Sequence, residues 1–506
     1  MEENMKRLWI APALVLLCAL FITGCPQSAE PSGPDPNLKI ENGVLKGYNG
    51  TPSGTLVIPA DVTEIAPYAF LSHTSLTGVD FSSCTDLKTI GDGAFLGCAG
   101  IKGTVVLPAN LETIGASAFY MCGDVDFDFS KCTKLISIGS WAFGRCTKIK
   151  KVHLPASLIS IAGDAFDDCP ELAILTVHSD NKIFKSKDNI IYDYNETKAV
   201  CSARAIKSIN FPKTLVEITS GAFKGCMGLT ALDLPASIET LGFQAFYGCK
   251  GIEGTVKLPE NLKTIGIGAF DGCNNVAGFD LSKCRELTSI GSRAFANCMK
   301  IKEVHLPEKL EEIVGNAFSG CTELATITVD SANASFTVKD NTVYDKGGKK
   351  LLCSARAITS FNFPADITEI GRGAFSGCEK LTAADLSSCT ALKTIAADAF
   401  FYCTSLKQLI LPASLETLEE EVFFACREMS GTVVLPANLK KIGEDAFFQC
   451  GKVTVFDFSK CTDLISIARG AFTECNAAAF KVKKGSAIKA MLIACGVAES
   501  QISEVD

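Results

Sequence analysis

Histidine and tryptophan are scarce in this chain, with four and two copies in 506 residues. The histidines (His73, His153, His178 and His305) are never paired at ligand spacing, and no Cys-x-x-Cys occurs, so a zinc centre has no evident ligand set. The Gly-x-Ser-x-Gly, P-loop and His-Glu-x-x-His signatures are missing as well. That removes the usual sequence support for α/β-hydrolase, nucleotide-hydrolysing and zinc-protease chemistry. Positive charge is not in excess: 48 Lys and Arg against 56 Asp and Glu leave a formal charge of −8. A phosphate backbone needs a basic surface, so nucleic acid is a poor candidate partner. Beyond the first 25 residues no run is long and apolar enough to span a bilayer.

The one long apolar run, Leu8 to Phe21, follows Met5-Lys6-Arg7 and precedes Ile22-Thr23-Gly24-Cys25 and a polar stretch from Pro26 to Asn37. A basic start, an apolar middle and a small residue before a cut read as a secretory signal, residues 1–24. Cys25 stands where a bacterial lipobox places the lipid-accepting cysteine. Gly24 fits that pattern, whereas Ile22 and Thr23 depart from its commonest form. The resemblance implies a lipid on Cys25, a flexible tether over 25–37, and a place in the cell envelope, at the outer membrane or cell surface, with the membrane touched only through the lipid. Ordinary cleavage with Cys25 incidental is the alternative.

What the chain has in quantity is one short string. Ala-Phe-x-x-Cys recurs with fifteen phenylalanines from Phe70 to Phe472, spaced 23 to 25 residues apart except for gaps of 57 after Phe166 and Phe318. His73 replaces the cysteine in the first copy, and Val422 replaces one alanine. Between copies, Ile149, Val152 and Leu154 form Leu-x-x-Leu-x-Leu, a strand with its apolar residues facing inward. Leu158, Ile161 and Phe166 then form the return side. One unit cannot bury these residues alone, but stacked units make continuous apolar columns. Phe143 to Phe295 and Phe166 to Phe318 are both 152 residues, so the array reads as three blocks of five units: 38–180, 181–332 and 333–480. The two long gaps hold matching inserts, Asp188–Ala205 and Asp340–Ala357, each expected to be a β-hairpin. Glu41 to Gly50 looks like a third copy, able to cap the N-terminal end. Residues 481–506 are expected to close the other end with a helix carrying Ile488, Met491, Leu492 and Cys495.

The unit Leu-Pro-x-x-Leu-x-x-Ile-Gly-x-x-Ala-Phe-x-x-Cys-x-x-Leu-x-x-Leu-x-Leu resembles the BspA-like, Treponema pallidum-type leucine-rich repeat over nearly all of 55–480. The resemblance implies a leucine-rich-repeat solenoid: a curved, β-rich right-handed coil with parallel strands on its concave face. It also implies a surface protein of a host-associated bacterium rather than an enzyme. Some members bind matrix or plasma proteins or mediate co-aggregation, but a repeat family does not transfer its ligand.

Of the 24 cysteines, fourteen lie in the Ala-Phe-x-x-Cys column and five in Ser-x-Cys: Cys84, Cys132, Cys389 and Cys461 with threonine next, and Cys284 with Arg285. An exported chain invites a disulfide reading. Equivalent positions on neighbouring rungs, however, lie about 4.8 Å apart with parallel Cβ vectors, and a disulfide wants Cβ atoms about 3.8 Å apart. The expectation is a ladder of buried free thiols acting as small hydrophobes.

The position between the last two apolar residues of Leu-x-x-Leu-x-Leu points out of the expected concave sheet. In order it reads Asp80, Val106, Asp128, His153, Thr176; Asp233, Lys257, Asp280, His305, Thr328; Asp385, Ile410, Val434, Asp457. Six aspartates and one lysine make an acidic stripe suited to basic patches on an extracellular protein or glycoprotein. Residues that merely keep an exposed sheet soluble are the competing reading. His153 and His305 are copies of one repeat position about 30 Å apart, too far to act together. Asp126-x-Asp128 and Asp188-Asn189 could hold calcium, although solvated turns account for them as well. No catalytic residue, metal or cofactor is expected. A structural spacer without a ligand is the main alternative, and a carbohydrate-active enzyme a remote one, because clustered acids across rungs are not found. For the anchor, Cys25→Ala is expected to release the protein into the medium; unchanged membrane retention on fractionation would count against lipidation.

Overall fold

In a computed structural model, residues 35–506 are described; the signal, Cys25 and most of the tether lie outside them. Residues Asn37–Asp506 form one compact unit, a solenoid of parallel strands with one α-helix, Ile488–Ala494, near its C-terminal end. No helix among the described residues is long and apolar enough to cross a membrane.

Most repeats contribute two strand segments. The first is only two residues long and falls at Leu-x-x-Ile: Glu64–Ile65, Thr89–Ile90, Thr113–Ile114 and so on, fifteen in all. Successive copies pair in parallel, isoleucine on isoleucine, as Ile65, Ile90, Ile114, Ile138 and Ile161 do. β-Branched residues favour this extended backbone, and each Ile turns into the core. The second segment lies at Leu-x-x-Leu-x-Leu. The resemblance led us to expect the continuous sheet there, but most of these strands pair only in twos, Gly54–Val57 with Leu76–Asp80 and Gly103–Val106 with Val125–Asp128, for example. The long ladders of seven and eight strands run instead through the two-residue segments. The reason is local. Leu-Pro turns follow this segment in some units and Ser-x-Cys turns in others, and bulges shift its register at Gly54, Gly254 and Gly431, while Leu-x-x-Ile keeps one length in every unit.

Three contacts repeat between neighbouring rungs. The phenylalanine rings stack nearly face to face, with centroids 5.1–5.9 Å apart and planes within 19°. Each Phe N–H donates to the carbonyl of the residue before the next Phe, as Phe95 does to Ala118. Twelve of the fourteen thiols of the Ala-Phe-x-x-Cys column donate back to the preceding unit's Phe carbonyl at 2.9–3.3 Å; Cys226 and Cys378, which follow the inserts, donate to the Ala203 and Ala355 carbonyls. Cysteine suits that place because it is small, apolar and still able to donate. All 22 described cysteines are free and buried. The turn between these contacts is tight: a Cβ on Gly100 would stand 2.1 Å from the Thr74 carbonyl oxygen.

Each insert holds the expected hairpin, Ile190–Asp193 with Lys198–Ser202 and Thr342–Asp345 with Lys350–Ser354. A strand just before it, Phe184–Lys187 or Phe336–Lys339, pairs antiparallel as well and makes a three-stranded meander. The third strand then enters the parallel ladder beside Glu217–Ile218 or Glu369–Ile370. Asp193 turns the chain into that strand by accepting from the N–H groups of Thr197 and Lys198, and Asp345 does the same for Lys349 and Lys350. The N-terminal copy has only two strands, Leu38–Glu41 and Val44–Tyr48, and the second joins the ladder directly. At the other end the helix buries Ile488 and Leu492. A last strand, Ile502–Val505, unforeseen from the sequence, pairs in parallel with Ala479–Lys483.

Burial pushes the thiols of Cys98, Cys273 and Cys321 up to about 12. A folded-state pKa above the unfolded value contributes stability that is complete below about pH 8.5 and is lost as pH rises through the folded value. Denaturant midpoints are therefore expected to fall steadily from pH 8 to pH 11. A thiol reagent should titrate the ladder only after unfolding; fast reaction of native thiols at pH 8 would contradict this burial.

Candidate interaction face

The predicted column lies where Leu-x-x-Leu-x-Leu presents its outward positions. Strand pairing sets Val57 beside Asp80, Val106 beside Asp128 and Lys257 beside Asp280. It also sets Asp385 beside Ile410, and Val434 beside Asp457, which neighbours Lys481 in turn. Apolar members stay on the surface: Val57, Val106 and Val434 are 48%, 39% and 42% exposed. The face is thus mixed in character rather than uniformly acidic. Asp233 stands exposed in a segment, 231–234, that forms no strand.

Five of the six aspartates also have a local task. Asp80, Asp128, Asp280, Asp385 and Asp457 accept the backbone N–H of Ser82, Ser130, Ser282, Ser387 and Ser459 at 2.8–3.0 Å. This is an Asx turn, the carboxylate mimicking a backbone carbonyl as the chain leaves the strand. Each such aspartate belongs to one of the five Ser-x-Cys units, so much of the acidic stripe follows from unit type. The signal was in the sequence as Asp-x-Ser-x-Cys. Asp233 cannot make this turn, since the residue two places on is Pro235, which has no N–H. Hydrogen bonds from Ser130, Ser282 and Ser387 hold the carboxyls of Asp128, Asp280 and Asp385 below the usual range.

The histidines form two copies of one arrangement. His153 Nδ1 lies 2.6 Å from Thr176 Oγ1, and His305 Nδ1 lies 2.9 Å from Thr328 Oγ1. The two pairs sit in separate two-stranded sheets. Around the first is an open depression lined by Ser130, Thr133, His153, Pro155, Thr176 and His178. In the second copy Asp330 replaces His178, and its Oδ2 is 3.9 Å from His305 Nε2. Of the calcium candidates, Asp126 turns its carboxylate back to the Phe127 N–H, and Asp188 and Asn189 form a turn with φ of 52° and 62°. No cluster of three or more metal-ligating side chains occurs among the described residues.

Two residues whose importance sequence reasoning missed are Arg204 and Arg356, which are fully buried. Arg204 donates to the carbonyls of Gly163, Phe166 and Ala222 at 2.7, 3.2 and 3.0 Å. Arg356 donates to those of Gly315, Phe318 and Ala374. The duplicated Cys-Ser-Ala-Arg-Ala was the available signal, but nothing in the string says that its arginine points inward.

The chain matches the family described as BspA type Leucine rich repeat region, in six copies, over residues 46–126, 63–196, 196–325 and 348–483. No curated protein matches it. Among solved structures it is similar to a leucine rich cell surface protein from Faecalibacterium prausnitzii A2-165, at 19% identity over 91% of this chain and 96% of that one, with a TM-score of 0.43. It is similar also to the pneumococcal vaccine antigen PcpA, at 17% identity over 91% and 80% with a TM-score of 0.42. A third is the T. pallidum leucine rich repeat protein, at 24% identity over 46% and 82% with a TM-score of 0.27.

The turn role and the charge of these aspartates can be separated. Asp128→Asn keeps an acceptor for Ser130 and should leave urea stability unchanged, whereas Asp128→Ala should cost about 1 kcal/mol. Because the folded-state pKa values are depressed, this stabilisation is present above about pH 4 and lost as pH falls through them. A triple Asn variant at 128, 280 and 385 should lose less stability than the parent between pH 5 and pH 3; equal losses would refute the assignment.

Proposed function

The chain belongs to the BspA type leucine-rich-repeat family, and from that premise we propose that it is a bacterial cell-surface protein, lipid-anchored through Cys25, that binds a macromolecular partner along its outward strand face. The partner class is an extracellular protein or glycoprotein, such as a host matrix or plasma protein or a component of another bacterium. The observation that carries this reading is the division of labour inside the unit. Leu, Ile, Phe and Cys are nearly invariant from rung to rung and buried, while the exposed strand position changes through Asp, Val, His, Thr, Lys and Ile. A surface whose variation is decoupled from the core can acquire specificity without cost to the fold. Protein names among similar structures, a cell surface protein and a vaccine antigen, agree with a surface location. No catalytic role is assigned.

The turn duty of five aspartates favours a second reading, a spacer without a specific ligand. Binding of a soluble form lacking residues 1–36 to a panel of matrix and plasma proteins separates the two. Asp233→Lys, Lys257→Glu and paired Asp128→Asn and Asp280→Asn changes leave the turns intact. They are expected to weaken saturable binding about ten-fold or more through lost charge complementarity. Saturable binding indifferent to all of them would move the site off this face, and no binding to any partner would support the spacer.

A further inference from the structure

The three contacts that join neighbouring rungs all stop at the inserts. The phenylalanine stacks run Phe70 to Phe166, Phe223 to Phe318 and Phe375 to Phe472. The isoleucine ladders are likewise three separate sheets, each opening with an antiparallel element. At the two joints the place of the cysteine thiol on the Phe carbonyl is taken by arginine: Arg204 Nε donates to Phe166 O, and Arg356 Nε to Phe318 O. The same guanidinium groups reach the Ala222 and Ala374 carbonyls, which stand in the repeat where a Phe N–H of the preceding unit would donate. Each joint is therefore closed by one desolvated cation and a ring of carbonyls instead of by stacked rings. No carboxylate forms an ion pair with either arginine among the described residues; beside the carbonyls, Arg204 donates to the Ser202 hydroxyl and Arg356 to the sulfurs of Cys378 and Cys353.

The two joints are duplicates by sequence but unequal in packing. Across the first, Lys224 Nζ lies 3.0 Å from Asp167 Oδ2, and 5.1 and 5.3 Å from the ring centroids of Trp141 and Tyr247. This lysine is 8% exposed, so the pair is a shielded one. Across the second, the equivalent contact is a single hydrogen bond between the Ser319 and Ser376 hydroxyls, 2.9 Å long. The buried apolar core shows the same inequality. It is continuous from Leu45 through the first joint to Ala355, and a second cluster runs from Tyr344 to Val497. The division passes through the second insert, which sends Val343 and Cys353 into one cluster and Tyr344 and Leu351 into the other.

In a stacked array, stability is a sum of rung terms and nearest-neighbour interface terms, and opening begins where an interface term is smallest. From the broken stack, the divided core and the weaker cross-joint pair, we infer that the Arg356 joint is a seam at which the last block opens as one cooperative unit, while the first two blocks stay together. Arg356 is the positioning residue of this seam, holding Gly315 and Phe318 on one side to Ala374 on the other.

Native-state hydrogen exchange of the whole folded chain, followed by mass spectrometry, tests this. Ladder peptides over 394–443 should exchange as one group, about ten-fold or more faster than those over 89–115 and 264–291, which should share a slower rate. Arg356→Gln should speed the 394–443 group by about a further ten-fold and leave 89–115 unchanged. Arg356→Lys, which keeps the charge but not the fork of donors, should give a smaller change in the same peptides and serves if the Gln variant does not fold. One common rate for all three regions in the parent protein would overturn the seam. So would an arginine substitution that speeds all three alike.

Discussion

A rung of about two dozen residues exposes as much apolar surface as it hides unless another rung covers it, and in this protein the covering is done by one ring on the next. The Ala-Phe-x-x-Cys turn brings the phenylalanine to the same place in every unit. Ring stacking then carries two polar consequences with it: a Phe N–H aimed at the next unit and a Phe carbonyl aimed to receive the next unit's thiol. Those groups sit where water cannot reach, so each needs its partner. The cysteine column is explained by this need. Alanine would fill the space without a donor, and a serine hydroxyl would be dearer to bury.

The same requirement explains the arginines. An insert interrupts the stack, the Phe166 and Phe318 carbonyls lose the thiol that would have come next, and a guanidinium with five donors is the side chain able to gather several stranded carbonyls at once. Each arginine repairs a broken column. Divergence between the two joints, a shielded Lys224–Asp167 pair in one and a Ser319–Ser376 hydrogen bond in the other, shows that duplication copied the solution but not its surroundings.

Much of the fold was legible because its signal is periodic. Fifteen phenylalanines in phase specify stacked units, three blocks and two interruptions without reference to any coordinate. The candidate face was legible only in part. Alternation along Leu-x-x-Leu-x-Leu places Asp80, His153 or Lys257 on the outside, but it cannot say whether a carboxylate points to solvent or curls back to the serine two residues on. That depends on the turn, and the turn differs between Asp-x-Ser-x-Cys and Asp233-Leu234-Pro235.

By itself the sequence determined the unit, its count, the burial of its Leu, Ile, Phe and Cys, and the absence of a ligand set for zinc or of a known catalytic signature. These follow from local spacing, which stacking only repeats. Tertiary structure alone decided which half of the unit carries the continuous ladder, that each insert is a meander of three strands, and that Arg204 and Arg356 point inward. Each of these depends on what the adjoining rung offers: a register kept or shifted, an edge free to pair, a carbonyl left without a donor. Such vacancies arise between units, and no single unit's residues record them.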